Sequence, residues 1–525
     1  MIRGMPLSPF ARVRAAGAGL MLVFLHVAFA AEPANPIVSG VTVAQGRLAG
    51  VAGEDAAIAV FKGVPFAAPP VGALRWRPPQ PPAAWQGVRK ADTFGSSAMQ
   101  ADQRSFGPWT EEYMFRNEAD EDCLTLNVWT PARSADERRA VFVWIHGGAY
   151  HSGSGEVLLY DGEGLAKRGV IVVTLNYRLN VFGFFAHPEL TAESPHGASG
   201  NYGLMDQLAA LRWVRENIAA FGGDPERITV GGQSAGAGAL HHLLVSPEAR
   251  GLFHRAIAQS GPWRRRAASL PLAEAERQGA RFAAAIAAPT LAELRALPAA
   301  ELFARHQAQE VRFRPIVDGW IVPEAVTAAH ERGGQIDVPL LTGWTADETS
   351  SQQGYGVSTV DGFAAQAAKE FGDRAAAFAA LYPVSNDAEA GEAQKEWRRD
   401  AARAELQGWT ALRARHGRAK DWGYYFDRAI PWPEHPEYQA FHSGELPYTF
   451  DNLRLMNRPW EEIDRRLAAQ VASYWVNFIN TGDPNGPGLP HWPDDNGQLL
   501  RLGREVAAEP VLSAEKLEFY LGDSR

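Results

Sequence analysis

Gly232-Gln233-Ser234-Ala235-Gly236 has the residue types and the spacing to do chemistry. It follows the β-rich run Arg227-Ile228-Thr229-Val230 and precedes the small-residue segment Ala237-Gly238-Ala239-Leu240. A Gly-x-Ser-x-Gly pentapeptide between strand and helix is the signature of a nucleophile elbow, a turn so tight that the serine hydroxyl stands exposed at the helix start. Ser234 is therefore the candidate nucleophile for acyl transfer. A Gly-rich turn can also join a strand to a helix without any chemistry, so the serine needs partners: a base, an acid to orient it, and donors for an oxyanion. Donors are supplied by His146-Gly147-Gly148-Ala149-Tyr150, which directly follows the apolar run Val141-Phe142-Val143-Trp144-Ile145. Small residues there leave backbone N–H groups uncovered, and the residue after the nucleophile adds one more, so the expected oxyanion hole is Gly148, Ala149 and Ala235.

These segments need a frame to bring them together. From Val141 onward the pattern reads strand, loop, strand (Val170 to Leu175), helix (about 203–220), strand, elbow, helix, strand (Ala256 to Ser260). Continuous apolar strands alternating with helices predict an α/β protein with a mostly parallel sheet buried on both faces. Residues 36–53 read as short antiparallel strands, and the Pro-rich passage from Pro65 to Pro82 as an irregular segment packed on the body by Phe66, Leu74, Trp76 and Trp85. Two Ala-rich stretches, about 270–306 and 360–418, read as helical insertions over the active-site end of the sheet. Neither is flanked by a long polar linker, so residues 31–525 are expected to form a single domain.

The resemblance carried by several phrases in one order is to the type-B carboxylesterases, the carboxylesterase/cholinesterase group of the α/β-hydrolase fold. Over about residues 36–500 these are Phe61-Lys62-Gly63-Val64-Pro65-Phe66-Ala67-Ala68-Pro69-Pro70-Val71-Gly72, Glu121-Asp122-Cys123-Leu124, Asn176-Tyr177-Arg178, Gly200-Asn201-Tyr202-Gly203-Leu204, Phe221-Gly222-Gly223-Asp224-Pro225 and Thr481-Gly482-Asp483-Pro484-Asn485. The resemblance implies the missing partners. Gly343-Trp344-Thr345-Ala346-Asp347-Glu348 matches the segment carrying the acid, which points to Glu348 with Asp347 as the close alternative. Phe441-His442-Ser443-Gly444-Glu445-Leu446 matches the segment carrying the base, which points to His442 and leaves Glu445 a structural role. The order Ser234, Glu348, His442 agrees with that of the fold, and the activity implied is ester hydrolysis through an acyl-enzyme. Two departures stand out. Ala98 occupies the place where relatives often carry the disulfide partner of Cys123, and Gln233 replaces a common glutamate, which weakens the case for a cationic substrate. Tyr113 falls near the position of the tryptophan that cholinesterases stack on quaternary ammonium.

Composition narrows the alternatives. The 525 residues carry a net charge of −9 with no Lys/Arg stripe, which disfavours nucleic acid as a partner. Arg3, Arg12 and Arg14 precede the apolar run 15–29, and Ala28-Phe29-Ala30 forms a cleavage site, so residues 1–30 read as a signal peptide and the protein as exported, periplasmic or secreted, with no stable membrane span after cleavage. Loss of that leader removes three arginines and no acid, making the protein more acidic still. Cys123 is the lone cysteine, so no intrachain disulfide can form, and its strand-like setting favours a half-buried structural role over a nucleophilic one. No His-Glu-x-x-His helix or similar ligand cluster occurs; the expected reaction needs no metal or organic cofactor, only a small-molecule ester. A noncatalytic binding protein on the same fold is the competing class, and a lipase, amidase or lactonase the competing reactions. Trp109, Tyr150, Trp263 and residues 310–320 are the expected pocket lining.

Overall fold

The computed structural model describes residues 34–261, 269–494 and 497–522, so the leader and Trp263 lie outside it. Its frame is an eleven-stranded sheet. In chain order the strands are β1 (Val51–Ala52), β2 (Ala59–Pro65), β3 (Thr125–Thr130), β4 (Arg139–Ile145), β5 (Ile171–Leu175), β6 (Gly223–Gln233), β7 (Arg255–Gln259), β8 (Leu340–Thr345), β9 (Asp421–Phe426), β10 (Gln498–Leu502) and β11 (Val506–Pro510). Across the sheet they run β11-β10-β9-β8-β7-β6-β4-β5-β3-β2-β1. The stretch from β10 to β5 is parallel throughout, and the antiparallel pairs lie at the two margins. The short antiparallel strands expected within residues 36–53 are present as Val41–Val43 against Gly46–Ala49, in a small separate sheet.

The central strands read as continuous apolar runs because both their faces are covered. Val141, Val143 and Ile145 of β4 enter one hydrophobic core with Ile171 and Val173 of β5, and Phe142 and Trp144 enter the other with Val172. The first core is closed by helices α1 (Tyr202–Asn217) and α2 (Ala235–Val245), which contribute Leu208, Leu211, Leu240 and Leu244. The second is closed by a helix over Glu462–Thr481, through Val471, Trp475 and Phe478. Every residue of α2 is buried, which explains why its sequence, His241 and His242 apart, is small or apolar on every face rather than amphipathic.

The insertions are more broken than Ala content alone suggests. The first divides into Leu272–Ala285, Leu291–Ala296 and Ala299–Gln307, because Pro289 and the Thr290–Glu293 capping box restart the chain and Pro298 restarts it again. The second divides into Val360–Phe371, Ala375–Leu381 and Asp387–Ala414 at Gly372, whose φ is +55°, and at Pro383. The long Asp387–Ala414 helix packs on β8 and β9 rather than only over one end, its Leu406 lying against Gly423. Cys123 sits just before β3 rather than inside it, buried and unpaired, and shares a small cavity with Ala98. Among the described residues no helix is long and apolar enough to cross a membrane.

Candidate active site

Parallel strands deliver their C-terminal ends to one edge of the sheet, and the site is built there. β6 ends at Gln233, and Ser234 turns the chain into α2 with φ 57° and ψ −122°, a conformation L-residues rarely adopt. Ser234 N–H donates to Gln259 O of the neighbouring strand at 2.9 Å, and Gly238 N–H donates to Ser234 O at 2.9 Å, so the strained residue is held from both sides. The flanking glycines are required by contact: a Cβ on Gly236 would lie 2.0 Å from Ile145 O, and one on Gly232 would lie 2.6 Å from the Gly236 carbonyl carbon. The helix start thus lies directly on the end of β4.

The loop after β4 lies against the elbow. A Cβ on Gly147 would meet Ser234 Cβ at 3.1 Å, and one on Gly148 would meet Ser152 O at 2.1 Å. Gly148, Ala149 and Tyr150 have φ of +104°, +56° and +65°, a run of left-handed residues that turns the peptide N–H groups outward. The N–H groups of Gly148, Ala149 and Ala235 find no acceptor among the described residues. His146 braces this loop from beneath: its ring stacks on Tyr177 at 4.5 Å, the Tyr177 hydroxyl donates to His146 O at 3.0 Å, and burial holds its imidazole down to about 4.

Between Glu348 and Asp347 the structure distinguishes clearly. Glu348 Oε2 accepts from His442 Nδ1–H, while Oε1 accepts from Ser260 Oγ, Thr345 N–H and Thr345 Oγ1, the last two at 2.9 Å. Asp347 faces away: its Oδ1 takes Arg399 at 2.6 Å and Tyr355 OH at 2.5 Å, and its Oδ2 takes Ala440 N–H at 3.2 Å. Asp347 also bridges to Phe441, which ties the His442 segment to the end of β8. Burial opposes ionisation of Glu348, yet the facing imidazole and the converging donors hold its carboxyl below the usual range. Burial likewise pulls His442 down, and the charge and hydrogen bond of Glu348 outweigh it, leaving the imidazole above its ordinary value. Glu445 is buried, with Oε1 accepting from Gln259 Nε2 at 3.3 Å and Oε2 unpartnered; burial and then the Glu348 charge push it up to about 7.

His442 Nε2 faces Gln233 Nε2 at 3.2 Å, so with its proton on Nδ1 the imidazole accepts from the Gln233 amide. Among the described residues no hydrogen bond joins His442 to Ser234; the two line one cavity of about 1030 Å³ together with Gly147, Gly148, Ala149 and Gln233. Its aromatic wall is Phe106, Trp109, Tyr113 and Tyr160, and Trp109 stands edge-on to His442 with ring centroids 6.4 Å apart. Tyr113 OH donates to Ser443 O at 3.4 Å. Trp109 and residues 310–312 lie where the sequence predicted. Tyr150 does not line the cavity, because its ring turns into the core against Phe184 at 5.2 Å. The segment 99–122 that lacks a disulfide is held by polar contacts instead: Gln100 with Gly153 in both directions, Asn180 Nδ2 to Met99 O at 2.6 Å, and the buried Arg75–Glu121 pair.

Ser260 escaped sequence reasoning as a site residue, although it stands where a parallel strand ends, just after β7, and that position was the available signal; Gln233 was singled out for its missing charge, but not for its contact with His442. Among the described residues no group of three or more His, Cys, Asp or Glu side chains is placed to hold a metal ion.

Comparison with known proteins agrees with this architecture. Residues 38–520 match the model of the carboxylesterase family. Fumonisin B1 esterase of Sphingopyxis macrogoltabida is 36% identical over 496 residues, covering 88% of this chain and 86% of that protein. Para-nitrobenzyl esterase of Bacillus subtilis (strain 168) is 35% identical over 503 residues, covering 91% and 97%. Human cocaine esterase is 32% identical over 553 aligned residues, covering 97% and 95%. With the parallel sheet, the elbow on β6 and a family match along almost its whole length, the chain belongs to the carboxylesterase family, carries the α/β-hydrolase fold and is a carboxylic ester hydrolase.

Proposed function

We propose that hydrolysis proceeds through a Ser234–His442–Glu348 triad and an acyl-enzyme. His442, neutral at Nε2, takes the Ser234 proton as the hydroxyl attacks the ester carbonyl; the Gln233 amide that occupies this lone pair at rest gives way to the serine. The N–H groups of Gly148, Ala149 and Ala235 stabilise the tetrahedral oxyanion, and Glu348 orients and stabilises the imidazolium. His442 then protonates the leaving alcohol, and water repeats the sequence on the acyl-enzyme. The observation that supports this most is the turn of Gly147 against Ser234 in the cavity that the Glu348-held imidazole also lines.

Relatives named for fumonisin B1, para-nitrobenzyl esters and cocaine point to small-molecule esters as the substrate class. The test is pre-steady-state kinetics with aryl and alkyl esters. Wild type should show a burst of alcohol release, and Ser234→Ala should lose turnover by about 10⁴-fold or more while keeping its thermal midpoint. Retained turnover in Ser234→Ala would refute the nucleophile. We further propose that residues 1–30 direct export and are cleaved near Ala30; an intact Met1 on exported protein would refute this.

A further inference from the structure

The wall of the cavity opposite in character to the aromatic one is basic. It comprises His151, His306 and Arg312, with Gln307, Gln309 and Ser152 between them. Residues 311–314 run without helix, and Phe313 is buried against Phe282 and Phe185 with ring centroids 5.3 and 5.4 Å away. Side chains alternate along extended backbone, so anchoring Phe313 inward turns Arg312 and Arg314 together to the outside, where both are exposed. Neither guanidinium forms an ion pair among the described residues. Arg312 lines the cavity, and Glu310 is the one carboxylate among the described residues lining it.

The two imidazoles add an unfilled demand for hydrogen bonds. His306 is 6% exposed; its Nε2 bonds Val311 O at 3.1 Å and its Nδ1 has no partner. His151 Nε2 is buried and has no partner, and the two rings lie parallel with centroids 6.5 Å apart. His151 belongs to the oxyanion loop itself, its N–H donating to Gly148 O at 2.9 Å. Burial first, then His306, Arg312 and Arg314 push its imidazole down to about 4, so both guanidiniums lie close enough to act on this ring.

We propose that the substrate of this esterase carries a carboxylate, bound by Arg312 and Arg314 with His151 and His306 beneath them, beside the oxyanion loop. The proposal rests on the serine-esterase reading above and names its substrate class. A protein of net charge −9 repels anions at long range, so a local pair of unpaired guanidiniums is what an anionic ester needs to be held. The neutral histidines supply N–H donors or take up a proton as the carboxylate arrives.

The test uses the full-length mature enzyme and matched esters. 4-Nitrophenyl hemiglutarate and its methyl ester place the charge in the acyl part; 4-acetoxybenzoate and its methyl ester place it in the alcohol part. The readout is the ratio of kcat/KM for the anionic over the neutral member of each pair. In the wild type this ratio should fall with added salt on at least one arm. In Arg312→Ala/Arg314→Ala the ratio on that arm should drop by at least about tenfold, mainly through KM. Arg312→Lys/Arg314→Lys, which keeps the charge, should restore most of it. A ratio unchanged in the alanine variant on both arms overturns the proposal and leaves the esterase reading standing, provided Ser234→Ala abolishes turnover of the neutral esters. Turnover of the neutral esters by Ser234→Ala refutes the esterase reading and the proposal with it.

Discussion

Glu348 and Asp347 are adjacent carboxylates with opposite tasks, and the difference lies in what each faces. Glu348→Gln keeps the shape but replaces the acceptor that fixes the His442 tautomer, and should cost about 10³- to 10⁴-fold in kcat. Asp347→Asn leaves that contact intact and weakens the Arg399 and Ala440 bonds instead, so its effect should appear in the thermal midpoint far more than in kcat. If only the Asp347 change is crippling, the assignment of the acid is wrong. The second carboxyl question concerns Gln233. Its amide stands 3.2 Å from the His442 ring, and a carboxylate in its place would favour the imidazolium. In the proposed triad His442 acts only when neutral, so activity should fall as pH drops through the His442 pKa, which lies above its ordinary value. Gln233→Glu should move the acid limb of the kcat/KM profile upward by about one unit or more; an unmoved limb would show that the two side chains are not electrostatically coupled. At this scale the sequence was uneven. The turn at Ser234 was legible from a five-residue pattern, and the loop of Gly148 and Ala149 from a second short pattern after β4, because both are local geometries. Glu348 against Asp347 was open, because i and i+1 differ only in direction, and direction is set by Ser260, 88 residues away.

Elements decide whether the serine is presented at all. Gly236 and Gly238 lie two residues apart on α2 and should respond differently to alanine. A Cβ at Gly236 collides with backbone, Ile145 O at 2.0 Å, so α2 would have to leave β4; the expected cost is about 3 kcal/mol or more and most of the activity. At Gly238 the nearest atom is the tip of a side chain, the Tyr150 hydroxyl at 2.8 Å, with no backbone in the way, and the gain in helix propensity of about 1 kcal/mol offsets part of the cost of shifting that buried ring. Thermal unfolding of both variants checks the contrast, and equal midpoints would contradict the packing described for the elbow. The central strands were readable because burial on both faces makes them apolar throughout. The insertions were readable as helical but not in their breaks. Capping at Thr290 and the turn at Gly372 are local signals that Ala-rich composition hides, and where the Asp387–Ala414 helix packs is a tertiary fact.

At the scale of the molecule, Ser234, Glu348 and His442, each 94 or more residues from the next along the chain, are brought together: Ser234 and His442 line one cavity, and Glu348 holds the His442 ring from the Nδ1 side. The sheet does this by delivering β4, β6 and β8 with their C-terminal ends at one edge, so that the loop after β4, the elbow and Glu348 arrive together; the β9-side segment bearing His442 is tied to them through Asp347 and Glu348. No disulfide holds this arrangement, and the polar ties of Gln100, Asn180 and Glu121 fasten the 99–122 segment instead. Convergence of this kind was invisible to any local pattern and became an expectation only through resemblance over nearly the whole chain.

The central claim, that Ser234 is the residue which attacks the ester carbonyl, is tested most directly by treating the enzyme with a 4-nitrophenyl alkylphosphonate, which captures the serine in a tetrahedral form, and mapping the adduct by peptide mass spectrometry. Activity should be lost stoichiometrically with a single phosphonyl group on the peptide containing Ser234, and labelling should be greatly slowed in His442→Ala. Complete inactivation with the adduct on another residue, or full activity in protein whose Ser234 is fully modified, would contradict it.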